Sequence, residues 1–259
     1  KTIGLLFFNP SLRTRSSFEI GARQLGGGAV VLEPGRGAWP IAFEPGLVMD
    51  GEEEEHISEV ARVLSRYCDL IGVRAFPKFV DWTRDREDPV LRALASHATV
   101  PVINLETITH PCQELALMMA LQERLGATDS KKFLLTWTYH PRPLNTAVAN
   151  SALMIAAKFG MDVTLAYPKE FNLMPHTVDL ARNLAKENGT KFEIVHDMDE
   201  AFKGADVLYP KSWGCHQYLA DQKVPEPDQK KLGMEILGRY KDWICNEKRM
   251  TLAKKEAVY

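Results

Sequence analysis

Nowhere in this chain of 259 residues does an apolar run approach the ~20 residues that a membrane-spanning helix needs. Even LALMMALQERLG (115–126) is interrupted by polar side chains. Cysteine is scarce too. Cys68, Cys112, Cys215 and Cys245 lie far apart and form no CxxC, which argues against a disulfide framework or a zinc site and for a reducing, cytoplasmic setting. Neither sign of charge dominates. The 32 Lys+Arg stand against 34 Asp+Glu, a formal net charge of −2, so nucleic acid and anionic membranes find no broad electrostatic footprint. Repeats and low-complexity tracts are missing. KTIGLLFF, without a methionine or a targeting signature, reads as a strand already under way, and the chain is expected to have been trimmed at its beginning.

What is present is an alternation. Short β-branched apolar runs follow longer segments of helical period, the pattern of parallel strands with helices on both faces, so the expected class is α/β. Strands are predicted at TIGLLFF, GAVVLE, CDLIGVRA and VPVINLE, with helices near 15–25, 53–66 and 88–97. A second set follows at KFLLTWT, MDVTLAY, KFEIVH and ADVLYPK, with helices near 146–159, 175–188 and 198–203. This gives two similar domains, 1–125 and 126–259, each a parallel sheet flanked by helices. An interdomain helix in THPCQELALMMALQERLG joins them. Thr109 is placed to cap that helix, Pro111 suits its first turn, and Leu115, Met118, Met119 and Leu125 fall on neighbouring faces. GATDSKK reads as a turn-rich linker, and the EEEE of 52–55 as the first turn of a helix, favoured by the positive end of its dipole.

The stretch FFNPSLRTRSSFE (7–19) crowds donors between a strand and a helix. NPSLRT then becomes the loop outside the carboxyl end of a parallel strand, where such sheets bind ligands. Free N–H groups at the helix start, Ser11, Thr14 and the planar fork of Arg13 together form a candidate anion cradle. The plainer reading is that Ser11 or Thr14 caps the helix and the arginines are solvated. Further candidates follow other strand ends: Arg74, and Glu106, His110 and Gln113 in NLETITHPCQ. Taken singly, Arg74 fits a surface ion pair, His110 a helix cap and Gln113 a solvated first turn. Together they deliver donors from several strand ends toward one crevice.

SLRTR, VRAF and HPCQ, in this order, resemble the aspartate and ornithine carbamoyltransferases, and the likeness spans essentially the whole chain. PGRGAWPI, VMDGEEEEHI, ETITHPCQ, LTWTYHPRPLNTAVANS and YPKSWG resemble the branch that acts on acetylated ornithine; KSWG stands where the ordinary ornithine enzymes carry S-M-G. The resemblance implies that Ser11, Leu12, Arg13 and Thr14 hold the phosphate of carbamoyl phosphate. Arg74 would span phosphate and carbonyl oxygen, and His110, Pro111, Cys112 and Gln113 would complete that site, with His110 and Gln113 orienting the carbamoyl group. Arg13, Thr14, Arg74 and His110 would be catalytic. Trp39 aligns with a tryptophan that reaches the site from a neighbouring subunit, which implies a homotrimer; without the family it reads as a partly buried loop residue. Glu106, Lys211 and, more weakly, Asn145 align with acetylornithine binders. Glu54 stands where the acetylornithine enzymes have Glu and the succinylornithine enzymes have Pro.

The chemistry suits these residues. A neutral amine attacks a carbonyl carbon while phosphate departs, so two developing anions need fixed donors, and no metal or cofactor is required. Closure of two domains is expected to align the reactants. Cys112 is read as structural, since only its place near a helix start would lower its pKa. A lysine at 211, after a strand, suits the α-carboxylate of an acceptor whose α-amine is acetylated. The family's closing His-Cys-Leu-Pro element is expected beyond Tyr259, so the activity is assigned to the protein from which this chain comes. A nucleotide-dependent oxidoreductase is disfavoured because LTWT leads into YHPRPLN and not into GxGxxG. The other readings are a succinylornithine or plain ornithine carbamoyltransferase, and a non-catalytic metabolite-binding relative.

Overall fold

A computed structural model describes residues 1–79 and 81–259. By backbone packing they form two units, one of residues 1–78 and 83–108 and one of residues 79–82 and 109–259. The chain begins with β1 (Thr2–Phe7), α1 (Arg13–Gln24), β2 (Gly28–Leu32), β3 (Ile41–Ala42), β4 (Glu55–His56) and α2 (Ile57–Tyr67). It continues through β5 (Leu70–Arg74), α3 (Trp82–Asp85), α4 (Pro89–His97) and β6 (Val102–Glu106). The main sheet of the first unit is parallel, in the order β2-β1-β5-β6, and β3 and β4 pair separately.

Side chains alternate across this sheet. Ile3, Leu5 and Phe7 pack with Leu105 and with Phe18 and Ala22 of α1, whereas Leu6, Ile71 and Val73 pack beneath Ile57, Val60, Ala61 and Leu64 of α2 and Leu94 of α4. Both faces are covered, so the strands read as continuous apolar runs. Each Leu- or Ile-sized side chain buried in this way contributes ~1.5–3 kcal/mol. Gly72 lies in the middle of β5, and a Cβ there would come within 2.9 Å of the Leu105 side chain on β6.

The second unit contains α5 (Pro111–Leu125), β7 (Lys132–Trp137), α6 (Ala147–Lys158), β8 (Asp162–Ala166), α7 (Pro175–Glu187) and β9 (Phe192–Val195). It ends with α8 (Met198–Phe202), β10 (Val207–Lys211), α9 (His216–Asp221), α10 (Glu226–Gly238) and α11 (Glu247–Met250). Its parallel sheet has the order β10-β7-β8-β9. Phe133, Leu135 and Trp137 join a core with α5, α6 and α7, while Leu134 and Leu208 face Met198, Ala201 and Phe202 of α8. The small residues of α6, Ala149, Ala152, Ala156 and Ala157, are fully buried. That lets neighbouring backbones approach closely.

The two sheets share a class and differ in winding. In the first, the chain steps from β1 to β2 on one side and resumes with β5 on the other. In the second, β7, β8 and β9 advance in one direction and β10 returns beside β7. The pairs β1/β5 and β7/β10 are therefore the switch points, where strand ends leave a crevice for ligands.

Two local expectations are corrected. The EEEE run is not a first turn: Glu55 lies in β4, and the helix begins at Ile57 with His56 as its N-cap, accepting from the N–H of Ser58. The pairing of Glu55 with Ile41 holds this stretch extended. At α5 the N-cap is His110 and not Thr109, with Pro111 in the first turn as expected. By packing, α5 groups with the second unit, against α6.

Candidate active site

At the first switch point the chain leaves β1, turns at Asn9 and Pro10 and enters α1. Asn9 Oδ1 accepts from the N–H of Phe76 at 2.6 Å, and the Phe8 N–H donates to the carbonyl of Arg74 at 2.9 Å, so the turn is fastened to the end of β5. The N-cap position of α1 is Leu12, and from one residue ahead of it Ser11 Oγ accepts from the Thr14 N–H at 3.2 Å, a capping bond to a free donor of the first turn. No acidic residue occupies the first turn of α1, so the positive end of its dipole is unopposed locally. The arginines divide. Arg15 lies 3.3 Å from Glu33 and 3.7 Å from Glu19, whereas Arg13 is exposed and makes no ion pair among the described residues. Leu12 is exposed as well.

Arg74 closes β5 and is largely buried. Its Nη1 pairs with Glu106 Oε2, and its guanidinium lies 4.5 Å from the centre of the Phe76 ring. The contact follows from the β5–β6 register, in which Arg74 faces Glu106 across a local irregularity. Two candidates assigned to different substrates are thus direct partners. Arg74 Nε is buried and has no hydrogen-bond partner among the described residues. A donor so placed suits an incoming oxyanion.

Trp39 follows the tight turn bridged from Pro34 to Ala38 and is 62% exposed. The partly buried loop reading is therefore corrected. Glu54 is exposed just ahead of β4, outside any helix, so helix-dipole complementarity does not account for it.

The remaining candidates lie in the second unit. His110 is buried, and its backbone N–H donates to Ser151 Oγ on α6 at 2.7 Å, which fixes the start of α5. Pro111 and Gln113 are exposed on the first turn. Burial pushes the Cys112 thiol up, opposite to what a nucleophile needs. Asn145 Oδ1 accepts from the Ala147 N–H at 3.1 Å at the entrance to α6. Lys211 is the last residue of β10, paired in register with Trp137 of β7. The turn after it is anchored by Trp213, which is fully buried, donates from Nε1 to the carbonyl of Phe171 at 2.8 Å and accepts Trp137 Nε1 on its own carbonyl at 2.9 Å. Lys211 therefore issues from a rigid frame at the second switch point.

Sequence reasoning missed Glu114 and Tyr209. Glu114 is 1% exposed, and burial pushes its carboxyl up to about 8. Its place one helical turn before the buried Met118, with Leu121 beyond, was the available signal: a carboxyl in an apolar stripe. Among the described residues no cluster of histidine, cysteine or carboxylate side chains has the makings of a metal site, and no helix is long and apolar enough to cross a membrane.

Known proteins share this sequence pattern and this fold. The family profile described as "Aspartate/ornithine carbamoyltransferase, carbamoyl-P binding domain" matches residues 1–123, and "Aspartate/ornithine carbamoyltransferase, Asp/Orn binding domain" matches residues 141–259. The chain is 57% identical over 255 residues to the N-acetylornithine carbamoyltransferase of Xylella fastidiosa, covering 97% of this chain and 74% of that protein. It is 33% identical over 253 residues to the N-succinylornithine carbamoyltransferase of Bacteroides thetaiotaomicron, covering 97% and 72%. The crystal structure of an acetylornithine transcarbamylase complexed with acetylcitrulline matches with a TM-score of 0.92 at 56% identity, covering 100% of this chain and 76% of that one. Two profiles that between them span nearly all of the sequence, and this level of identity, make the chain a member of the aspartate/ornithine carbamoyltransferase family.

Proposed function

We propose that this carbamoyltransferase moves the carbamoyl group of carbamoyl phosphate to the side-chain amine of N-acetyl-L-ornithine, giving N-acetylcitrulline and phosphate, as a step of arginine biosynthesis in the cytoplasm. The observation that carries the acceptor assignment is the gap in likeness: 57% identity to an enzyme named for acetylornithine against 33% to one named for succinylornithine.

The chemistry follows from the side chains. The phosphate of the donor takes the N–H groups at the start of α1 with Ser11, Thr14 and the exposed guanidinium of Arg13, and Leu12 contributes backbone. Arg74, steadied by Phe76, carries the Nε that would meet the carbonyl oxygen as it gains charge. The amine nitrogen bonds to the carbonyl carbon, the carbon–oxygen bond to phosphate breaks, and the departing phosphate takes the amine's proton. His110 and Gln113 orient the carbamoyl group, with Pro111 and Cys112 shaping the turn that holds them. Glu106, Lys211 and Asn145 receive the amino acid, Lys211 matching its α-carboxylate. The exposure of Trp39 supports a role in a neighbouring subunit of a homotrimer. Glu54 selects acetyl over succinyl, since a second carboxylate on the acceptor would meet like charge there.

Competition among N-acetylornithine, N-succinylornithine and ornithine, with the full-length protein and labelled carbamoyl phosphate, tests the reading. N-acetylcitrulline should dominate; a majority of either other product would overturn the acceptor assignment.

A further inference from the structure

Glu114 is out of place by ordinary rules. A carboxyl rarely sits at 1% exposure in a helix's apolar stripe without a purpose, and the transfer chemistry above does not use it. Its Oε1 accepts from the Tyr209 hydroxyl across a long 3.4 Å, and its Oε2 has no hydrogen-bond partner among the described residues. The Tyr209 oxygen in turn accepts from Gln113 Nε2 at 3.1 Å. Tyr209 stands on β10, two positions before Lys211, and its ring packs 5.8 Å from that of Phe133.

Proton accounting gives this chain of contacts a direction. A phenol has one hydrogen to donate. Glu114 Oε1 accepts from the phenol when the carboxyl is ionised or carries its proton on Oε2, so the phenol hydrogen points to it. Tyr209 can then only accept from Gln113, which commits the NH2 end of that amide and leaves Oε1 as the end that meets a ligand. A carbamoyl group presents an NH2, and its natural partner is an acceptor.

We propose that Glu114 and Tyr209 are positioning residues, which set the Gln113 amide with its oxygen toward the carbamoyl nitrogen and so discriminate the donor's NH2 from an isosteric methyl. This rests on the donor-site reading given above. The burial that raises the Glu114 carboxyl is a cost that such a role explains. The positive charge of Lys211 acts on the same carboxyl, so the arrangement joins the two candidate ligand groups of the second unit.

Calorimetry on the full-length protein, with carbamoyl phosphate and with acetyl phosphate as probes, tests it. Acetyl phosphate keeps the anion and the carbonyl and replaces the NH2 by a methyl. Tyr209→Phe removes the hydroxyl. Glu114→Gln lets residue 114 donate to the phenol, which frees the amide to turn over. Each variant should bind carbamoyl phosphate about 3- to 10-fold more weakly, the scale of one hydrogen bond, and acetyl phosphate within about twofold of the unsubstituted protein. Equal losses on both probes, or no loss on either, would overturn the proposal. Absence of binding to carbamoyl phosphate in the unsubstituted protein would instead bring down the donor-site reading, a separate outcome.

Discussion

At the scale of single residues, position and partner matter more than residue type. Arg13 and Arg15 differ by two places, yet one is engaged by Glu33 and Glu19 and the other makes no ion pair among the described residues. The sequence shows both as donors; only the fold separates them. The Arg74–Glu106 pair was hidden for the same reason, since it depends on the register of two strands. Glu54 can be exchanged with little structural cost, because it is exposed and outside α2. Glu54→Pro should move the ratio of kcat/KM values toward N-succinylornithine by about tenfold or more, the scale of one charge contact. An unchanged ratio would remove Glu54 as the selector. Glu114 makes a prediction for stability. Its folded carboxyl holds a proton up to about 8, against an ordinary value of 4.5. Between these values the unfolded chain binds fewer protons than the folded one, so this group's contribution weakens as pH rises through that window. Melting curves at about pH 5.5 and pH 8 should show a smaller drop for Glu114→Gln than for the unsubstituted protein. The same drop in both would mean that the carboxyl ionises normally.

At the scale of elements, the strands were the most legible part. Apart from Lys132 at the start of one and Arg74 at the end of the other, runs such as KFLLTW and LIGVR carry no charge, because helices cover both faces and no solvent face imposes an alternation. The failures have physical causes. Four consecutive glutamates satisfy dipole complementarity at a helix start, but the hydrogen bonds to Ile41 and its neighbours hold that stretch extended. The two-residue strands β3 and β4 are too short to show any period. Charged residues crowd α10 so evenly that its apolar stripe is narrow, with Ile236 and Leu237 as its buried residues. At the start of α1, Ser11 both caps the helix and stands beside the proposed phosphate site. Ser11→Ala should therefore cost ~1 kcal/mol, or about 2–4 °C in Tm, together with weaker carbamoyl phosphate binding. A lowered Tm with unchanged binding would leave Ser11 as a cap alone.

At the scale of the whole molecule, the balanced charge of −2 leaves recognition to local sites. If Trp39 serves a neighbouring subunit, defects in different parts of the site should complement. Arg13→Ala and Trp39→Ala chains, each nearly inactive alone, should regain about a quarter of full activity when mixed and reassembled at random, since about one site in four then draws both intact residues. No recovery would confine each site to one chain. The winding of the two sheets also sets a timetable. The first sheet is complete once β6 has formed, whereas the second waits for β10, the strand that bears Lys211 and must return to β7 across the whole of the intervening chain. On the ribosome, then, the proposed hold on the anion can be finished while the proposed lysine contact to the amino acid is still being translated.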